Sequence, residues 1–145
     1  MAVFVSDHPY AAGLVNIGKL AIEKEDDAAL DAYFSPEHYV IHMPGVDASY
    51  AQLKAYFASL RAAFDGLTIE REQVFGEGRR LAARTVFTGT FARTFTQSPV
   101  GELKPNGKAI RWVVQNLFRY DDAGRLVEEW IESDSRSFVE QLTAA

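Results

Sequence analysis

The hydrophobic pattern of this chain is mainly helical before Asp65-Gly66 and mainly that of strands after it, and that change limits the folds open to it. Before it, apolar residues recur at helical spacing. Leu14, Ile17, Gly18 and Ala21 fall at i, i+3, i+4 and i+7, one face of a helix. Ser6 and Asp7 offer capping oxygens just ahead of Pro9, which a first helical turn tolerates. Glu25-Asp26-Asp27 puts negative charge where a second helix, 28–34, begins, and Pro36 ends it. Residues 38–43 are short and β-rich, stopped by Pro44-Gly45. Residues 49–64 form the clearest helix, with Leu53, Tyr56, Phe57, Leu60 and Phe64 in one stripe.

After Asp65-Gly66 the period becomes that of strands. Leu67 and Ile69 alternate with Thr68 and Glu70 in a strand over 67–75. Strands over 81–95, 110–120 and 125–133 follow, the last two joined by the Asp121-Asp122-Ala123-Gly124 turn, and 135–142 reads as a terminal helix. Helices followed by an antiparallel meander predict an α+β fold, with N-terminal helices packed on one face of a strongly curved antiparallel sheet. Gly89 and Gly101 suit the curvature, and a curved sheet capped by helices makes a cone with one pocket. No repeat or linker divides the chain, so a single domain over residues 1–145 is expected.

The net charge of −5 and the scattering of fifteen basic residues argue against nucleic acid or an anionic membrane as partner. Cysteine is absent, which excludes disulfides and thiolate chemistry and suits a reducing interior. The opening residues Met1 to Asp7 carry no basic run before a long apolar stretch, so a cytoplasmic protein is expected. No glycine-rich phosphate loop and no Gly-x-Ser-x-Gly elbow is present. His38 and His42 would lie roughly 13 Å apart along a strand, too far to share one zinc ion. Neither a metal nor a cofactor is expected.

Alternation on the 110–120 strand gives Trp112, Val114, Asn116 and Phe118 one face, the more apolar one, which should look inward. An amide among those side chains needs a partner: a ligand oxygen, a water, Asp134 or a cross-strand group. Trp130, Glu132 and Asp134 share a face of the last strand. A carboxylate beside a large ring has its charged form disfavoured, which raises its pKa toward the range useful for abstracting a proton next to a carbonyl. Asp134 equally suits the N-cap of the terminal helix. Phe87, Phe91, Trp112, Phe118 and Trp130 fit core or pocket wall alike. Val113 and Leu117, on the face the helices leave open, predict a homodimer through the sheet.

The ordered pieces Phe64-Asp65-Gly66-Leu67, Phe75-Gly76-Glu77-Gly78-Arg79-Arg80-Leu81, Thr88-Gly89-Thr90-Phe91, Pro105-Asn106-Gly107-Lys108, Phe118-Arg119-Tyr120, Gly124-Arg125-Leu126-Val127-Glu128-Glu129-Trp130, Asp134 and Gln141-Leu142 resemble the SnoaL-like polyketide cyclases, or ester cyclases, of the nuclear-transport-factor-like cone fold. The resemblance runs from about residue 34 to residue 142. It implies a small cofactor-free enzyme that abstracts a proton next to a carbonyl in a hydrophobic, oxygenated molecule and closes or isomerises a ring. It makes Asp134 the base of an aldol closure and His42 a polar pocket residue able to donate a proton. Asn116, Trp112, Phe118, Trp130, Phe91 and Glu132 would line the substrate pocket. Phe91 stands where the family usually places a histidine, and Glu129 and Glu132 flank Trp130 where another is common. The same features fit a non-catalytic protein binding a lipophilic ligand. An epoxide-hydrolase-like enzyme, with Arg84 bridging Glu132 and Asp134, is a further alternative.

Overall fold

Ala11–Ile22 (α1), Asp27–Tyr33 (α2) and Tyr50–Ala63 (α3) form the helical half, as the periodicity predicts. The computed structural model describes residues 2–145. The start of α1 differs from expectation. Its N-cap is Tyr10, with no side-chain cap, and His8 Nδ1 accepts the Tyr10 N–H at 3.1 Å in place of Ser6 or Asp7 oxygens at the helix end. Helix α2 is capped by Asp26, which accepts from the Ala29 N–H at 3.0 Å. Helix α3 opens on a reciprocal capping box between Ser49 and Gln52, satisfying two otherwise orphaned donors.

The strands are Phe4–Val5 (β1), Val40–Met43 (β2), Val46–Ser49 (β3), Phe64–Glu77 (β4), Arg80–Phe91 (β5), Phe95–Ser98 (β6), Gly101–Leu103 (β7), Ala109–Tyr120 (β8) and Leu126–Ser133 (β9); Ser135–Thr143 forms α4. Seven of them make one sheet in the order β1-β4-β5-β8-β9-β2-β3, and β6 and β7 pair separately. The meander β4-β5-β8-β9 is antiparallel, but β1 runs parallel to β4 and β2 parallel to β9. The sheet is therefore mixed, which corrects the antiparallel expectation. Its two ends are strands from the first half of the chain, β1 on one side and the β2–β3 pair on the other. The expected long strand 81–95 ends at Phe91, and its last residue, Phe95, opens the separate β6–β7 hairpin.

The buried apolar cluster lies between α1, α2, α3 and α4 and the sheet face that carries Ile69, Leu81, Phe87, Trp112, Val114 and Phe118. Bulges interrupt β4 between Asp65 and Thr68 and between Arg71 and Gln73. A bulge adds one residue to one strand and shifts the in-out alternation beyond it. A comparable irregularity falls between Arg119 and Tyr120 in the β8–β9 pairing. No helix among the described residues is long and apolar enough to cross a membrane.

Candidate active-site cavity

Alternation on β8 sends Trp112, Val114, Asn116 and Phe118 toward the helices. Register then fixes what faces them from β9: Asn116 lies opposite Ile131, Phe118 opposite Glu129 and Leu117 opposite Trp130. Directly opposed residues share a sheet face. Glu129 and Ile131 therefore point inward and Trp130 outward. Between this inner face and the helices lies a largely apolar cavity, also bordered by Ile17 and Gly18 of α1 and by Tyr56 and Phe57 of α3. Its volume is ≈ 80 Å³, room for several waters or one small ring. Met43, Tyr56, Phe57 and Ile131 line it while keeping partial exposure, marking the side nearest solvent.

One set of polar groups interrupts the apolar wall. Arg71 Nη1 donates to Thr85 Oγ1 at 2.8 Å, and that hydroxyl donates to Asn116 Oδ1 at 2.9 Å. Asn116 Nδ2 in turn donates to Glu129 Oε2 at 2.8 Å. The other carboxylate oxygen, Glu129 Oε1, accepts from Tyr39 Oη at 2.8 Å. Thr85, Asn116, Glu129 and Tyr39 are all buried. Burial raises the pKa of Glu129 above the usual carboxylate value, against the lowering influence of Arg71, Tyr39 and Asn116. Tyr33 and Tyr120 pair through their hydroxyls beside Arg71, and burial pushes Tyr33 up to about 12.

A carboxylate that accepts only neutral donors, sits in an apolar cavity and holds its proton more tightly than usual has the properties of a general base. Sequence reasoning missed both Glu129 and Arg71. The signal for Arg71 was present, since alternation places it on the face of Leu67 and Ile69. The signal for Glu129 was the register with β8, which a single sequence does not print.

The residues expected in the pocket divide between the two faces. Trp112, Asn116 and Phe118 line the cavity. Asp134 does not: its side chain is exposed and caps α4, accepting the Ser137 N–H at 2.9 Å. With Trp130 and Glu132 it borders a groove on the opposite face of the sheet. The three do share a face, but that face points away from the helices, so the expected placement of Trp130, Glu132 and Asp134 beside Trp112 is corrected. Asn116 accordingly finds Glu129 and Thr85 as partners rather than Asp134.

His42 is corrected for the same reason, because it pairs in register with Trp130 and stacks on that ring, with centroids 5.3 Å apart. It bonds Glu128 at 2.8 Å and Asp47 at 2.9 Å, and these two carboxylates, Glu128 first, raise its pKa. Phe91 is wholly buried and stacked on Phe64, part of the core rather than of the cavity wall. Arg84 pairs with Glu72, with one contact at 3.0 Å, and bridges neither Glu132 nor Asp134.

The family model of the SnoaL-like polyketide cyclases matches residues 19–142. No curated protein matches the chain at a significant level. Among solved structures, TsrD from Streptomyces laurentii shares 21% identity and superposes with a TM-score of 0.78, covering 97% of this chain and 99% of that one. IdmH from Streptomyces antibioticus, a candidate polyketide cyclase, shares 23% identity at a TM-score of 0.74, covering 93% and 99%. A candidate polyketide cyclase from Acidithiobacillus ferrooxidans shares 22% identity at 0.75, covering 96% and 97%. At these identities the likeness establishes a nuclear-transport-factor-like fold, and the family model, spanning most of the sequence, carries the assignment: the chain belongs to the SnoaL-like polyketide cyclase family.

Proposed function

We propose that the chain is a small cofactor-free enzyme of polyketide-cyclase type, working by acid/base chemistry on a hydrophobic oxygenated molecule, with Glu129 as the base. The observation that carries this reading is the buried Glu129 carboxylate, pKa raised, on the wall of an apolar cavity and held by Asn116 and Tyr39. In the proposed reaction a Glu129 oxygen takes the proton from a carbon next to a carbonyl, and the C–H electron pair moves to leave an enolate. The enolate carbon attacks a second carbonyl, forming the C–C bond, and the resulting alkoxide recovers the proton from Glu129. In an isomerisation the proton returns instead to another carbon of the same molecule. A cone-like wrap of the sheet around the helices would exclude water from this step. The half-buried Met43, Tyr56 and Phe57 would move aside for a substrate larger than one ring.

The direct test incubates the protein in D2O with a panel of hydrophobic ketones and 1,3-dicarbonyls and follows deuterium incorporation next to the carbonyl by NMR. Exchange with at least one member, lost in Glu129→Gln, supports the reading. Exchange that persists unchanged in Glu129→Gln contradicts the base assignment. Saturable binding of the panel with no exchange by the wild type favours a non-catalytic ligand-binding protein.

The outer sheet face supports a further proposal, a homodimer. Phe75 and Leu117 are 53% and 55% exposed there, beside Val113 and Trp130. Contiguous apolar surface of this kind marks interaction sites.

A further inference from the structure

Arg71 lines the cavity with donor capacity unused. Its only hydrogen bond among the described residues runs from Nη1 to Thr85, and Nε is sealed from solvent with no partner at all. A buried donor left without an acceptor is costly, and in native structures it usually has a reason. No carboxylate among the described residues approaches the guanidinium within 4.0 Å. The guanidinium lies over the Phe118 ring, with Cζ 5.3 Å from the centroid, a cation–π contact that holds it against the cavity wall. Gly18 of α1 faces it, and a Cβ there would come within 3.4 Å of both Nε and Nη2. The bare helix surface at Gly18 thus leaves the guanidinium its space, at a position where glycine weakens a helix.

We propose that Arg71 is the anion-reading group of this cavity, so that the ligand is an apolar, ring-bearing molecule whose single acidic oxygen, an enolate, phenolate or carboxylate oxygen, seats on the guanidinium. The proposal rests on the reading of the cavity as the substrate site and names the substrate class for it. The groups that face Arg71 are Glu129 from β9, Tyr33 from α2, Tyr120 from β8 and Tyr39 from the segment ahead of β2. Glu129 is the one acid among them. When Glu129 takes a proton from a bound molecule, the negative charge leaves the carboxylate and appears on the substrate oxygen. Arg71 then exchanges one anion for another, and the net charge of the cavity stays constant through the step. Arginine N–H groups bind anionic oxygens more strongly than neutral ones, so the interaction grows as the enolate forms, which is the condition for lowering a barrier.

The probe is 4-nitrophenol, which is yellow only as the phenolate and reports its own ionisation on binding. Benzoate serves as the carboxylate probe and toluene as the neutral control. The wild-type protein is expected to bind the dye as phenolate, lowering its ionisation midpoint by about one unit, a tenfold preference for the anion. Arg71→Met abolishes that shift while toluene binding persists. Glu129→Gln removes the competing carboxylate and tightens phenolate binding severalfold. Benzoate binding that also depends on Arg71 extends the class to carboxylic acids, whereas Arg71-dependent binding of the phenolate alone restricts it to enolate-type oxygens. The proposal is overturned if the bound dye keeps its solution midpoint, or if Arg71→Met shows the wild-type shift. Should Arg71→Met fail to fold, Glu129→Gln decides alone, and unchanged phenolate affinity there overturns the proposal. Glu129-dependent deuterium exchange with no Arg71-dependent anion binding would sink this inference while leaving Glu129 as base.

Discussion

Arg71 and Glu129 are joined through two neutral side chains rather than by a direct ion pair. Arg71 donates to Thr85, Thr85 to Asn116 and Asn116 to Glu129, at 2.8, 2.9 and 2.8 Å. Every donor points from the cation toward the anion, so each bond polarises the next. The relay spans three strands, β4, β5 and β8, to reach β9. It leaves both charged ends on the cavity wall.

Replacing Glu129 by Gln keeps the shape of the side chain and removes its basicity. Proton exchange in a responsive ketone should fall about 10²- to 10⁴-fold, the usual contribution of a positioned base. Circular dichroism should show the fold unchanged. An equal rate in both proteins would assign the base elsewhere.

The raised proton affinity of Glu129 also shapes stability against pH. Its folded pKa lies above the ordinary value of 4.5. At acid pH below both values the two states are equally protonated. As pH rises past 4.5 the unfolded chain releases this proton first, so the folded state loses relative stability. The slope is up to about 1.4 kcal/mol per pH unit until the folded pKa is passed. Urea unfolding across this window should show the decline in the wild type and a flatter profile in Glu129→Gln. Parallel profiles would mean that the folded pKa is not raised.

Asn116→Leu breaks the relay next to the carboxylate. Its hydrogen bond lowers the Glu129 pKa, so the acidic limb of the exchange-rate profile should move to higher pH. Stripping a donor from a buried carboxylate should also cost about 1–3 kcal/mol in chemical unfolding. An unmoved limb would show that Asn116 does not act on Glu129.

Asp134→Ala provides the contrast. It removes the N-cap of α4 and should cost about 1 kcal/mol in unfolding free energy, with proton exchange kept at the wild-type rate. Loss of exchange in a folded Asp134→Ala protein would restore Asp134 as the base.

Leu117→Lys places a charge at the centre of the exposed outer face. Light scattering should give a dimer mass for the wild type and a monomer for the variant. A monomeric wild type would remove the interface.

How much of this was legible in sequence depends on what sets each feature. Helices α1 and α3 and strand β8 carry long periodic runs, and the inward set Trp112, Asn116 and Phe118 follows from β8 alone. The two- to four-residue strands β1, β3, β6 and β7 are too short to show a period. Glu129 was hidden by register. Leu126 and Glu129 both line the cavity although they lie three apart, because the irregular pairing near Tyr120 shifts the phase of β9. Without that register, Trp130 with Asp134 looks like the inward pair, since a tryptophan is more apolar than its glutamate neighbour. The outward face is instead occupied by the His42–Trp130 stack, which covers part of the ring. Arg71 lay in plain alternation with Leu67 and Ile69 on a face otherwise apolar, and its charge is accommodated by the relay and the Phe118 ring.

The central claim, a proton-accepting carboxylate at Glu129, is tested most directly by titrating the glutamate side-chain carboxyl carbons with ¹³C NMR. The resonance that disappears in Glu129→Gln identifies the residue. A midpoint above 4.5 is predicted, moving further up in Asn116→Leu. A midpoint at or below 4.5 in the wild type would contradict the account.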